Sequence, residues 1–454
     1  MSSLKKVGLG GLNVTTVPSL NNALDLHTAP AVDDSLLKGK SVYYNPTNQI
    51  SDNGEIEFNI PPDPECFQIL NQTRLEGYFV VQDENGNNVG NTDVVSMEHD
   101  YVSCLFSQIE VYVNGTQVCD LSSSLNYPFK HYLDATLSYS YHVLSNRGQT
   151  EGYRIIGRRN CSFNYKTVNG EKVLDNANSC GCYRERWYLL KEGGQLYFST
   201  ALPVDLFYTD KYLPPDITMQ IKLKRSPPGF GIINISNEKK FTMKLKECTL
   251  KMRKVLPTQR VRDRFNAKLL RQPCFLPYKD SQLKMFNVNE GLMSYHTPII
   301  NDHHMPSMIV FGMIKANSLT DPIRGINIGP FSFRNMNYSS VMLKKDGKPL
   351  LPRAIELDKS TNDHYIVHRM MQDDIGTLNS VSLTHFEKDS FLFVMDLTPD
   401  KCKSYHHHPS TAGKLDLELN FSQPLDENKI LVCYTIYNGG IAMDKNLQIR
   451  KITY

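Results

Sequence analysis

The clusters best placed to do chemistry are His406-His407-His408, His303-His304 beside Asp302, and the thiols Cys161, Cys180 and Cys182. A metal ion needs ligands that converge from separate elements or from one helical face. Three consecutive histidines running into Pro409 cannot all turn to one ion in regular structure. Cys180-Gly181-Cys182 lacks the two-residue spacer of redox and zinc motifs. No phosphate-cradling Gly-x-x-x-x-Gly-Lys, no Gly-x-Ser-x-Gly elbow and no His-Glu-x-x-His occurs, and Gly8–Gly11 follows no strand pattern. The expectation is a protein with no catalytic residue, no metal site and no cofactor, whose work is structural or associative.

One local charge excess stands out. Arg253, Lys254, Arg260, Arg262, Arg264, Lys268 and Arg271 share a stretch whose only acid is Asp263, and Lys5-Lys6 add a pair near the N-terminus. Cations of this kind rest on nucleic-acid phosphates without reading sequence. Lys5, Lys6, Arg260, Arg262 and Arg264 are therefore the candidate DNA contacts, against the plainer reading of a solvated linker face. The net charge of +3, from 50 basic and 47 acidic residues, gives no global field to reinforce them.

The elements that must carry these residues are strands. Ile56, Phe58 and Ile60 alternate with Glu55, Glu57 and Asn59, and Leu415, Leu417, Leu419 and Phe421 alternate with Asp416, Glu418 and Asn420. Period-two alternation buries one face and wets the other. Asn114-Gly115 and Asp346-Gly347 mark tight hairpins. The alternation of Phe241, Met243 and Leu245 changes phase at Cys248, which predicts a bulge near Lys246-Glu247. Val204–Phe207 also reads as strand, and Arg158–Gly194, with the single Trp187, reads as a polar loop or surface tower.

Two helices are expected. Phe129, Leu133 and Leu137 follow Pro128 at helical spacing, and Val261, Phe265 and Leu269 do so between Pro257 and Pro273. At 454 residues the chain exceeds what one core usually organises. The division predicted is a flexible arm over 1–35, a first β-sandwich over 36–257 and a second over 258–454. The ten cysteines are too few for a disulfide framework, no leader of secretory length is visible, and no run reaches membrane-spanning length.

An ordered set of segments then resembles a known family. The set is Tyr43-Tyr44-Asn45-Pro46 with Gly54–Phe58, Leu105–Val111 leading to Asn114-Gly115, Asn126–Leu133, Asp205-Leu206-Phe207, Lys211–Pro214 and Ile221–Leu223. It continues with Pro330–Phe333, Asp396–Asp400, Leu417–Leu419 and Asp444–Asn446. Together these resemble the major capsid proteins of Polinton/Maverick elements and adintoviruses, in the double jelly-roll lineage of hexons.

The resemblance implies an all-β fold of two tandem jelly rolls with short helices in loops. It implies homotrimers that tile an icosahedral shell around double-stranded DNA. It also implies contacts with neighbouring capsomers and with penton or minor capsid proteins, and assembly inside the host cell, in the nucleus. A receptor- or carbohydrate-binding sandwich, a host-domesticated capsid copy, or an enzyme with two carboxylates on a concave face are the alternatives. All thiols are expected free. Reductant should leave the melting temperature unchanged, whereas breaking a native disulfide costs about 2–5 kcal/mol.

Overall fold

The computed structural model describes residues 5–9 and 12–16, then 32–453 apart from 53, 154–164, 176, 178, 180, 192, 236–238, 321–328, 352, 358–362, 376–378, 402–407 and 410. Near the N-terminus Lys5–Leu9 pairs antiparallel with Leu12–Thr16. Eight principal strands follow: β1 (Leu36–Tyr44), β2 (Glu55–Ile60), β3 (Phe67–Asp83), β4 (Phe106–Val113), β5 (Thr116–Leu121), β6 (Leu196–Thr200), β7 (Met219–Arg225) and β8 (Phe241–Pro257). Eight more make the second half: β9 (Cys274–Val288), β10 (Ser294–His304), β11 (Met308–Lys315), β12 (Tyr338–Lys345), β13 (Lys348–Pro349), β14 (Phe393–Asp396), β15 (Ala412–Phe421) and β16 (Lys429–Met443).

The pairing repeats. The first half forms sheets ordered β1-β8-β3-β6 and β2-β7-β4-β5, and the second forms β9-β16-β11-β14 and β10-β15-β12-β13. Adding eight to every strand of the first half yields the second. Ile355–Glu356 and Ile449–Thr453 add short flanking strands to β12 and β16. Each sheet buries one face. Ile56, Phe58 and Ile60 of β2 are sealed while Glu55 and Asn59 are exposed, and Leu415, Leu417 and Leu419 of β15 are fully inaccessible.

The two tight hairpins occupy equivalent places. Asn114-Gly115 joins β4 to β5 and Asp346-Gly347 joins β12 to β13, with φ of 46° and 77° in the first and 50° and 77° in the second. Two successive positive φ values give the turn whose twist matches that of paired strands.

The bulge falls where the phase change predicts it. Pairing of β8 with β3 steps from Leu245↔Phe79 to Glu247↔Tyr78, leaving Lys246 as the extra residue. Next along is Gly77, paired with Cys248, where a Cβ would collide with the Glu247 carbonyl oxygen.

Three expectations are corrected. Val204–Phe207 is not a strand: Asp205–Tyr208 forms a 3-10 turn, because Asp205 is held by partners in the second half. The Arg158–Gly194 stretch is not loop throughout. It contains a hairpin, Tyr165–Val168 with Glu171–Leu174, and a helix, Gly181–Leu190. Tyr183, Trp187 and Leu190 fall at i, i+4 and i+7, and Trp187 packs with Val94, Leu174, Tyr183 and Ile233 while its indole donates to the Asp93 carbonyl at 2.8 Å. Helix also occurs beyond the two predicted segments, notably at Asp363–Ile375, where Val367 and Met371 face the core. Gly77→Ala should lower stability by about 1–3 kcal/mol, the usual cost of overpacking, measured by chemical denaturation.

Candidate functional site

The predicted helix over 128–137 runs from Asn126 to Ser138 (α1), and its surroundings make it the pivot of the molecule. The sequence gives it one apolar stripe, Phe129, Leu133 and Leu137, yet Tyr127, Lys130, His131 and Tyr132 are buried as well. The second half covers the face that the stripe leaves. Phe331 stacks on Tyr132 with ring centroids 4.6 Å apart and meets Phe129 edge-on at 5.3 Å. Asn126 donates to the Leu283 carbonyl, and Ser380 donates through its hydroxyl to the Thr136 carbonyl at 3.1 Å.

At the centre of this seam lies one ammonium. Lys130 Nζ contacts Asp205 Oδ1 at 2.7 Å, Asp134 Oδ2 at 3.0 Å, Ser281 Oγ at 2.7 Å and Tyr434 Oη at 3.1 Å. Asp134 and Asp205 come from the first half, Ser281 and Tyr434 from the second. Burial alone would push Lys130 down, but Asp134 and Asp205 outweigh it and hold the ammonium well above its ordinary value. Two carboxylates share this single cation, so burial pushes Asp205 up to about 6 although Lys130 pulls the other way. Asp205 also accepts from the Ser281 backbone N–H at 2.9 Å, which fixes β9 against the turn.

A second polar chain runs through the other side of α1. Asp100 Oδ2 lies 2.8 Å from His131 Nδ1, and His131 Nε2 lies 3.2 Å from Thr200 Oγ1. An acid–imidazole–hydroxyl series of this kind could serve nucleophilic catalysis. Here it does not. Burial would lower His131, but the Asp100 carboxylate raises it to about 9, which favours the protonated ring beside that carboxylate. Thr200 is only 1% exposed. The chain holds α1 to the first half. The converging pair Asp134 and Asp205 is likewise bridged by an ammonium and closed off by the seam.

The basic segment is less free than its sequence suggests. The helix Gln259–Leu269 (α2) is exposed on its polar side and rests on Phe67 through Phe265, edge-on at 5.3 Å. Arg260 pairs with Asp34 at 3.0 Å and Arg262 with Glu65 at 3.5 Å. Lys254 is buried against Asp63, and Lys251 reaches Glu76. Acids distant in sequence thus oppose cations that look unopposed in the chain. Arg264, Lys268 and Arg271 have no acidic partner among the described residues. Lys5 and Lys6 lie on the N-terminal hairpin, apart from α2 in sequence, and only their backbone is described.

Of the other clusters, His408 lies 2.8 Å from Asp400, while His406, His407, Cys161, Cys180 and Cys402 fall outside the described residues. No metal-binding group of three is present among the described residues. Among the described residues Cys66, Cys119, Cys248, Cys274 and Cys433 are free thiols, and burial pushes Cys119 and Cys248 up to about 12, where they are unreactive. Among the described residues no helix is long and apolar enough to cross a membrane.

No protein-family model and no curated protein matches the chain. Solved structures do match it, nearly end to end. A chain of the Sputnik virophage, seen by cryo-EM, is 11% identical with a TM-score of 0.57, over 97% of this chain and 94% of that one. The mavirus major capsid protein is 10% identical with a TM-score of 0.55, over 97% and 96%. A chain of the PBCV-1 virus capsid is 9% identical with a TM-score of 0.56, over 94% and 98%. This chain is a double jelly roll. At such identities the likeness is one of fold, and a double jelly roll carries its repeated strand order in both lobes.

Sequence reasoning missed the seam. Lys130 and Asp205 entered it only as members of resembling segments. The available signal was a lysine and a histidine inside the apolar run Tyr127–Leu133, with an acid four residues after the lysine. Lys130→Met leaves two buried carboxylates uncompensated and should cost about 3–5 kcal/mol. Asp205 sits above its unfolded value of 3.8, so its contribution to stability is present below about pH 4 and lost as pH rises through about 6. The Lys130→Met deficit should therefore be larger at pH 8 than at pH 5, read by urea unfolding at each pH.

Proposed function

We propose that this chain is a major capsid protein that assembles as a homotrimer, each trimer a pseudo-hexagonal block in an icosahedral shell around double-stranded DNA. The observation that carries this reading is the strand order that repeats with an offset of eight within one chain. A hexagonal tile needs six similar lobes, and a chain holding two supplies them in three copies. The end-to-end fold likeness to a mavirus major capsid protein supports the reading, since neither chain has a large part without a counterpart in the other. The ordered segments resembling Polinton/Maverick and adintovirus proteins suggest that group, with assembly in the nucleus and with penton or minor capsid proteins as further partners. The lobes are 36–257 and 258–454, preceded by the 1–35 arm.

DNA contact in this reading is weak, unspecific and confined to Lys5, Lys6, Arg260, Arg262 and Arg264. Arg260 and Arg262 already hold acids, which reduces the phosphates they can neutralise. Each neutralised phosphate adds about 0.9 to the slope of log affinity against log salt.

Light scattering on the purified protein should give three times the chain mass of 51.8 kDa, and negative-stain images should show hexagonal outlines. A stably folded monomer at micromolar concentration would overturn the trimer. Neutralising Arg260, Arg262 and Arg264 together should reduce salt-sensitive DNA retention and leave the native mass unchanged.

A further inference from the structure

The first lobe buries an arginine that no carboxylate meets among the described residues. Alternation along β7 turns Met219, Ile221, Leu223 and Arg225 inward, so the sequence sets a guanidinium where its neighbours are apolar. Pairing with β4 shifts register between Lys224 and Arg225, and the side chain crosses to the facing sheet. Nη1 donates to the Leu105 carbonyl at 2.9 Å and Nη2 to the Met243 carbonyl of β8 at 2.7 Å. Those two bonds tie the sheets together, but they do not neutralise the charge. A guanidinium carries five N–H donors and stays ionised. Arg225 is 8% exposed, and its Nε has no hydrogen-bond partner among the described residues.

A cavity of about 160 Å³ lies against this group, with Ser226, Phe230, Thr242, Lys244 and Asp52 among its other walls. The Ser226 hydroxyl is also buried without a partner among the described residues. Asp52 is the one carboxylate in the lining, and it is bonded to Lys244. Burial pushes Arg225 down to about 10, although Asp52 pulls the other way. Two cations and one carboxylate leave the cavity one positive charge in surplus. A buried charge is tolerated when a counter-charge and hydrogen-bond partners replace its water. Pockets for drug-sized molecules run to about 300–1,000 Å³, so this volume suits a small ion.

We propose that this cavity binds a small tetrahedral oxyanion, inorganic phosphate or sulfate, with Arg225 Nε and the Ser226 hydroxyl as donors and Lys244 as the second cation. The ion supplies the counter-charge that the two carbonyls cannot. It binds the folded lobe and not the unfolded chain, because unfolding hydrates Arg225 and separates it from Lys244, which lies 19 positions away. Binding of that kind stabilises by mass action. The site lies wholly within the first lobe, so it is independent of how copies assemble.

The test titrates inorganic phosphate into the full-length protein at constant ionic strength, set with sodium chloride. The melting temperature should climb with phosphate, and calorimetry should give a saturable isotherm of one ion per chain. Ser226→Ala/Lys244→Gln keeps both carbonyl bonds of Arg225 and loses only an exposed ion pair, a contact of little worth. That variant should melt normally without phosphate and bind it about tenfold more weakly or worse, the ratio that loss of one charge-assisted hydrogen bond produces. Arg225→Gln should abolish the isotherm, and the double variant carries the test even if loss of the carbonyl bonds unfolds that protein. Stabilisation that never saturates and is equal in wild type and double variant is general exclusion of phosphate from protein surface, and would overturn the site. An isotherm that the double variant leaves unchanged would also overturn it, by placing the ion elsewhere. So would a wild-type protein that shows neither heat nor a melting shift with phosphate or sulfate.

Discussion

Everything in this molecule is arranged around the need to bury one lysine. Lys130 sits on a helix sealed on all sides, and a buried ammonium is tolerated only when anions and hydrogen-bond acceptors replace its water. Asp134 and Asp205 supply the charge, while Ser281 and Tyr434 complete the shell from the second lobe. Separating the lobes would take Ser281 and Tyr434 out of that shell, so the relative position of the two sandwiches is held by these hydrogen bonds as well as by the apolar contacts of Phe129, Tyr132 and Phe331. This shared core is why the two halves form one continuous hydrophobic cluster.

The repeat of eight strands explains why a fold this large can be built from short-range rules. Each lobe solves the same packing problem, with four strands facing four and a tight hairpin between the fourth and fifth. The two solutions are dissimilar in sequence: β2 buries Ile56, Phe58 and Ile60, whereas its counterpart β10 carries Thr297, Ile299 and Ile300 across register shifts against β15. Selection on topology leaves side chains free to vary, provided one face of each strand stays apolar. The same freedom accounts for near-complete structural overlap with capsid chains at about a tenth sequence identity.

Much of the framework was legible in the chain, and for local reasons. Alternation placed most of the long strands. Asn-Gly and Asp-Gly placed the equivalent hairpins, and a phase slip of one residue located the bulge at Lys246. The misreadings share a cause. Asp205–Tyr208 has apolar alternation but is pinned as a turn by Ser281, a residue 76 positions away. Gly181–Leu190 has little amphipathic contrast because Arg186 is buried along with Trp187. Neither partner is visible from a local window.

By itself, then, the sequence determined the periodicities: which strands bury one face, where the chain reverses, and that ten scattered thiols and isolated histidines assemble no recognised reactive motif. Those are properties of neighbours along the chain. Tertiary structure alone decided the electrostatics. It brought Asp34, Glu65, Asp63 and Glu76 to cations that seemed unopposed, and it turned a lysine in an apolar helix into the fastening between lobes. The physical reason is range. Backbone geometry and side-chain alternation act over a few residues, but charge and desolvation act through space and depend on what the fold sets beside a group once water has been removed.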